Sequence, residues 1–163
     1  MLVFKWLASA VFALVMGAII AGQLGLLQGT TPKDLGVKQG RLKGLSATDN
    51  SVSSQAALYP DHPQYANANI APLPLRGSGS DTIAKLKTIV EGMDGARLIS
   101  QAPDYLYAQF TSPLMGFVDD VEFWFDPVAK VIQVRSASRM GKGDLGMNRK
   151  RIELVREALA NAA

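Results

Sequence analysis

The chain has 163 residues, of which 48% are hydrophobic, and a formal net charge of +3 at pH 7. This composition excludes a disordered chain and indicates one globular domain with accessory segments. The charge is too small to indicate binding of nucleic acid, so we expect no such partner. The sequence contains no cysteine, which excludes disulfides, thiolate metal sites and cysteine nucleophiles.

An uncharged apolar run occupies residues 6–27. A helix of this length, rising about 1.5 Å per residue, spans a hydrocarbon core of about 30 Å. The alternative is a cleaved signal peptide, but Ala21 and Gly22 follow isoleucine and make a poor cleavage site. We therefore expect residues 1–28 to form a signal-like transmembrane anchor, with the lipid bilayer as the partner of residues 6–27.

The charges that flank this run leave its orientation open. Lys33, Lys38, Arg41 and Lys43 follow it, and a positive-inside count would keep the rest of the chain in the cytoplasm. Long domains, however, can translocate largely regardless of charge.

The next segment, residues 28–80, is rich in Gly, Pro, Ser, Asn and Gln and shows little hydrophobic periodicity. We interpret residues 29–49 as a linker and residues 50–163 as the soluble domain. Residues 45–56 and 62–75 are predicted to be loops or a short extended edge.

The core of the soluble domain shows helical and then strand periodicity. Ile83, Leu86, Val90 and Met93 share one helical face, and Ser80 or Asp81 is the expected N-cap. Alternating runs follow at residues 105–112, 121–126 and 130–138, with a fourth candidate strand at 97–100. A last helix is predicted over residues 145–162, capped by Asp144, with an inner stripe of Leu145, Asn148, Ile152, Val155 and Leu159. The pattern predicts an α+β fold, a two-layer sandwich in which an antiparallel sheet of about four strands is flanked by two helices.

The turn at residues 126–130 suits a tight hairpin. If Asp126 pairs with Val131, Glu122 lies opposite Arg135 on the sheet face away from the helices. Exposed there, such an ion pair would contribute only about 0–1 kcal/mol. Tyrosine and tryptophan side chains share this face, which favours covering by the irregular segment.

A charged corner is the candidate functional site. Several cations lie near the N-terminus of the last helix. The macrodipole favours anions at this end of a helix, and free backbone N–H groups there bind anions, so these cations would add to an anion site. An acidic block at residues 119–122 could instead neutralise the arginines, and this closed network is slightly favoured over a ligand site. The candidate ligand-binding residues are Asp119, Asp120, Glu122, Arg135, Ser136, Ser138, Arg139, Asp144, Asn148, Arg149 and Arg151.

Other chemistry finds little support in the sequence. His62, the single histidine, lies in a proline-rich loop, so we assign no metal site, no cofactor and no catalytic residue. The apolar loop at residues 113–118 is expected either to fold over the end of the core or to contact a partner or the bilayer.

Four sequence blocks resemble a family of bacterial and plastid proteins catalogued as domain of unknown function 1499. They are Val52-Ser53-Ser54, Ala71-Pro72-Leu73, residues 116–123 and residues 135–151. The resemblance implies no particular activity. It implies a secreted, membrane-anchored or lumenal protein, which favours the periplasmic side of an inner membrane. Family members often carry a cysteine before Val-Ser-Ser, where this chain has Ser51, so no thiol role applies.

Three functional hypotheses follow. The leading one is a non-enzymatic, membrane-anchored domain that binds a small anionic ligand or a protein partner at the charged corner. The second is an enzyme acting on a phosphate- or carboxylate-bearing substrate, with Asp120 or Asp144 as base and Arg135 or Arg139 stabilising charge. The third is a structural subunit that meets a membrane protein partner through the anchor and residues 113–118.

Overall fold

The computed structural model describes residues 2–162, with side chains from Phe4 onward. Four helices and five strands make up the described part of the chain, together with a short 3-10 helix at Ala56–Leu58. The helices are α1 (Leu2–Gln23), α2 (Tyr65–Ala68), α3 (Gly79–Glu91) and α4 (Met147–Asn161), and the strands are β1 (Ser51–Ser53), β2 (Ala96–Ala102), β3 (Tyr105–Thr111), β4 (Val118–Asp126) and β5 (Val131–Ser138).

The strands form one antiparallel sheet in the order β1-β5-β4-β3-β2. α3 and α4 cover one face of it, which we call the helix face, so the predicted α+β fold is confirmed. The sheet has five strands rather than about four, because Ser51–Ser53 pairs with β5 as a short edge strand. The hairpin register is confirmed, since Asp126 pairs with Val131 and Glu122 with Arg135.

The core forms where the period-2 alternation of the strands meets the apolar stripes of α3 and α4. Leu106, Val121, Phe123 and Val134 are fully buried on the helix face of the sheet. The helices contribute a further set of fully or almost fully buried side chains, namely Ile83, Leu86, Val90, Ile152, Val155 and Leu159. Successive strand residues point to opposite faces, so the neighbours of these core residues point away from the helices.

Both helix starts differ from the predictions. The N-cap of α3 is Ser78 rather than Ser80 or Asp81, and Asp81 instead completes a capping box three residues into the helix. α4 begins at Met147, not at Leu145, which is fully exposed with φ of 54°. The cause is local, because the Asp144 carboxylate accepts from the Gly146 and Asn148 amides and holds the chain in a turn just before the helix.

The other face of the sheet is covered by the segment between α1 and β1, residues 24–50, which we call the arm. The Gly36 amide donates to Glu122 Oε1 at 2.7 Å, and Arg135 Nε donates to the Gly44 carbonyl at 3.3 Å. Trp124 and Tyr107 are buried on this face, and Gly40 of the arm lies against the Trp124 ring. Covering of this face is therefore confirmed, and the Glu122–Arg135 pair is buried rather than exposed.

The end of α1 contacts the loop between β3 and β4. Gln23 Nε2 donates to the carbonyls of Pro113 and Leu114 at 3.0 and 3.1 Å. Gly22 is buried here, and a Cβ added to it would lie 2.3 Å from the Met115 carbonyl oxygen. α1 is long and apolar enough over Phe4–Gln23 to cross a membrane, although a signal sequence has the same composition.

Candidate functional site

The sheet divides the charged corner into two groups. Asp119 points to the helix face with Val121, whereas Asp120 and Glu122 point to the arm face. Arg135 shares the arm face with Glu122, and Ser136 lies on the helix face beside α4. The predicted site residues are thus close in space but do not surround one common cavity.

Asp120 is the centre of the first arm-face cluster. Arg139 donates to both of its carboxylate oxygens, at 2.9 and 2.7 Å, and the Tyr107 hydroxyl donates at 2.5 Å. The hydrogen bonds from Arg139 to Asp120 raise the pKa of the guanidinium. Burial, followed by the bond to Asp120, raises the pKa of Tyr107, so the Tyr107 hydroxyl stays protonated and donates to Asp120 over the physiological range.

Glu122 and Arg135 form the second arm-face cluster. Glu122 Oε1 accepts from the Tyr105 hydroxyl and the Gly36 amide, both at 2.7 Å. Glu122 Oε2 and Arg135 Nη1 lie 3.8 Å apart, beyond hydrogen-bond distance, and neither has another partner within residues 2–162. Burial raises the pKa of Glu122 and lowers the pKa of Arg135. This pair is therefore less well satisfied than the Asp120–Arg139 pair.

The raised pKa of Glu122 predicts a pH dependence of stability. The folded state binds the Glu122 proton more tightly than the unfolded state, so this group favours folding most below its unfolded pKa. That contribution is lost as the pH rises through the folded pKa, at about 1.4 kcal/mol per unit of pKa difference. Between about pH 4 and pH 8, the unfolding temperature of Glu122→Gln should therefore fall less steeply with rising pH than that of the wild type.

The exposed Glu153 supplies the control for this prediction. Glu153→Gln removes a carboxylate that is not buried, so its unfolding should follow the wild-type pH profile. Identical profiles for all three proteins would contradict a titrating Glu122.

Asn148 is the centre of the helix-face cluster. Its Oδ1 accepts from Ser136 Oγ and Arg151 Nη1, and its Nδ2 donates to the Asn50 carbonyl and Ser138 Oγ. The amide thus bonds both to the backbone and to two serines of β5. Arg151 also donates to Asp119 at 2.6 Å and lies 4.6 Å from the centre of the Phe110 ring. The first turn of α4 is thus fixed to β5 and β4.

Two of the predicted residues take other roles. Arg149 donates to the backbone carbonyls of Asn67 and Asn69, at 2.9 and 2.8 Å, and so holds α2 against α4. Asp144 is not the N-cap of α4 as predicted, because Gly146 takes that position; the Asp144 carboxylate, two residues earlier, accepts from the Gly146 and Asn148 amides. Arg149 and Asp144 line a polar cavity of about 510 Å³ beside β1, away from the arginines of the arm face.

A cleft on the arm face collects four of the predicted residues, Asp120, Arg135, Ser138 and Arg139, in a cavity of about 350 Å³. We call it the arm-face cleft. The arm adds Lys43 to its lining, together with Thr30, Ser46 and Thr48. Sequence reasoning missed Lys43, because residues 29–49 carry no periodicity that would place them against the sheet.

A larger cavity of about 790 Å³ lies on the helix face, between α3 and α4. We call it the helix-face groove. Its apolar walls are formed by Ile89, Met93, Phe110, Phe117, Met147 and Leu154. Asp119 and Arg151 of the predicted site lie along it, with Lys150 beside them. No sequence pattern predicts this groove, because its lining comes from four separate elements.

A family model described as "Protein of unknown function (DUF1499)" matches residues 33–159. The chain belongs to this family. No curated protein and no solved structure matched the chain. The DUF1499 match includes the arm from residue 33 onward, together with all six residues that form the three ion pairs of the charged corner.

The structure explains why two blocks stand out in the sequence of this DUF1499 member. Residues 116–123 supply Asp119, Asp120 and Glu122, and residues 135–151 supply the arginines that pair with them. The acidic residues of β4 thus meet Arg135 on the neighbouring strand β5, Arg139 just after it, and Arg151 on α4.

Proposed function

We propose that this DUF1499 member is a membrane-anchored binding domain that holds a small oxyanion, such as phosphate, sulfate or a carboxylate, in the arm-face cleft. One observation carries the proposal: Lys43, Arg135 and Arg139 all line one cavity. Guanidinium and ammonium groups are the side chains that bind phosphate and carboxylate most strongly. The volume of about 350 Å³ suits a small ligand.

The unpartnered Nη1 of Arg135 supports this proposal. Arg135 is 3% exposed, and a buried donor without an acceptor is costly. Asp34, Asp120 and Glu122 already balance the charges of Lys43, Arg139 and Arg135, respectively. An anion would therefore be held by hydrogen bonds more than by net charge, and we expect modest affinity.

The cellular location is part of the same proposal. α1 crosses an inner membrane and the soluble part lies on its periplasmic side, in keeping with what the family resemblance implies. The binding hypothesis is better supported than the enzyme hypothesis, because both candidate bases are occupied. Asp120 accepts from Arg139 and Tyr107, and Asp144 accepts from the Gly146 and Asn148 amides at the start of α4.

Anion binding is tested by thermal unfolding of the full chain in detergent, with phosphate or sulfate against chloride at equal ionic strength. We expect phosphate to raise the unfolding temperature. At a phosphate concentration one hundred times Kd, the free energy of unfolding should increase by about 2.7 kcal/mol. Lys43→Gln should weaken phosphate binding about tenfold or more, because it removes a hydrogen bond between charged groups.

Arg97→Gln is the matched control, since Arg97 is exposed on β2 at the opposite edge of the sheet. It removes the same charge and should leave phosphate binding unchanged. The proposal would be overturned if phosphate and chloride shifted the unfolding temperature equally, or if Lys43→Gln and Arg97→Gln weakened phosphate binding equally. The charged corner would then be a closed structural network.

A further inference from the structure

The helix-face groove takes no part in the proposed anion binding, because the sheet separates it from the arm-face cleft. Its walls leave apolar side chains in contact with solvent, with Met147 50% exposed and Leu154 48% exposed. Phe117 lies at the same cavity and is 37% exposed. Exposed apolar groups around a cavity of about 790 Å³ indicate an apolar occupant.

The groove is continuous with the contact between α1 and the soluble domain. Pro113 lines the groove, and its carbonyl accepts a hydrogen bond from Gln23 at the end of α1. Phe117 belongs to the same loop. If α1 spans the bilayer, this end of the groove lies beside the membrane surface. A molecule from the bilayer then has the shortest route into it.

The charged groups along the groove restrict the head group of such a molecule. Lys150 is exposed, and its ammonium makes no ion pair or side-chain hydrogen bond within residues 2–162. Arg151 is already bound to Asp119 and lies over Phe110. Asp94, at the end of α3, adds a carboxylate to the lining. One available cation and one carboxylate suit a head group with a single phosphate, and disfavour a multiply charged anion.

We propose that the helix-face groove binds an acyl chain of a bilayer phospholipid, with the lipid phosphate near Lys150. The inference depends on the membrane anchoring in the proposed function and is independent of the arm-face cleft. Because each buried methylene contributes about fourfold in affinity, the groove should prefer long acyl chains.

Photo-cross-linking of the full chain in vesicles tests this proposal. The vesicles contain phosphatidylethanolamine and phosphatidylglycerol, doped with a phospholipid that carries a diazirine near the end of one acyl chain. After irradiation, peptide mass spectrometry locates the adducts. We expect adducts on α1 and also on groove residues such as Phe110, Phe117 and Leu154.

Leu154→Glu should lower the groove adducts about tenfold or more, because it places a carboxylate against the acyl chain. Adducts on α1 should be unchanged in this variant. Val128→Glu is the matched control, since Val128 is 91% exposed in the turn between β4 and β5 and does not line the groove. It should leave both sets of adducts at the wild-type level.

Lys150→Gln tests the head-group part of the proposal. It should lower the groove adducts several-fold with the phospholipid probe and leave them unchanged with a diacylglycerol probe of the same chain length. Equal losses with both probes would show that Lys150 does not contact a phosphate.

Two results would overturn the acyl-chain site. One is wild-type adducts confined to α1, which fits a groove filled by a protein segment or left without lipid. The other is equal groove adducts in Leu154→Glu and Val128→Glu. Failure of the protein to float with vesicles would overturn membrane anchoring as well, whereas the phosphate titration in detergent still tests the arm-face cleft separately.

Discussion

Asp120→Ala should lower the free energy of unfolding by about 3–5 kcal/mol, among the largest effects of any single change on the arm face. Asp120 is 1% exposed and accepts hydrogen bonds from Arg139 and Tyr107. Its removal leaves the Arg139 guanidinium, itself largely buried, without a counter-charge. Chemical denaturation of the full chain in detergent measures the loss.

The double variant Asp120→Ala/Arg139→Ala should be less destabilised than the sum of the two single variants, because each single change already strands the other partner. Glu153→Ala supplies the matched control, since Glu153 and Arg156 form an exposed ion pair at 2.9 Å. Its loss should cost at most about 1 kcal/mol. The prediction would be contradicted if the double variant lost as much free energy of unfolding as the two single variants together. It would also be contradicted if Asp120→Ala and Glu153→Ala lost the same amount.

Asn148→Ala should cost about 3–5 kcal/mol, since it leaves several buried polar groups without partners at about 1–3 kcal/mol each. Asn148 is fully buried, and its amide uses its oxygen and its nitrogen twice each. One of these bonds reaches the Asn50 carbonyl, immediately before β1. The loss should therefore be concentrated at the β1 edge of the sheet.

Hydrogen exchange measured by mass spectrometry distinguishes this local effect from general destabilisation. In Asn148→Ala, amides of Ser51–Ser53 should exchange faster than in the wild type, while those of β3 should change little. Asn161→Ala is the control, because Asn161 is exposed at the end of α4 and its loss should be within about 0.5 kcal/mol. Uniform acceleration across the sheet would contradict the proposed role of Asn148.

Much of the folded core could be predicted because its strands alternate strictly and are joined by a short turn. That alternation, with the register of the turn at residues 126–130, predicts Glu122 opposite Arg135, and it requires Asp119 and Asp120 to point to opposite faces. Residues that are neighbours in the sequence therefore belong to different clusters. The same period-2 argument divides the predicted site into an arm-face and a helix-face group.

The remaining features depend on interactions that a one-dimensional pattern does not contain. The arm is rich in glycine and lacks periodicity, so neither its path over the sheet nor the position of Lys43 could be predicted. Leu145 fits an apolar helical stripe, but the turn held by Asp144 excludes it from α4. The helix-face groove arises from the spacing between two helices, which side-chain volumes determine.

The path of the arm also limits where the domain can work. A flexible linker as long as residues 24–50 would let a domain range about 30 Å from the end of its membrane helix. Here residues 24–50 instead pack across the sheet and are hydrogen-bonded to it, and Gln23 binds directly to the loop at Pro113 and Leu114. A domain held this closely to the end of α1 can move only a short distance from it. With α1 in the bilayer, as we propose, the domain would encounter only molecules that diffuse in the plane of the membrane or arrive at its surface, so its search would be two-dimensional.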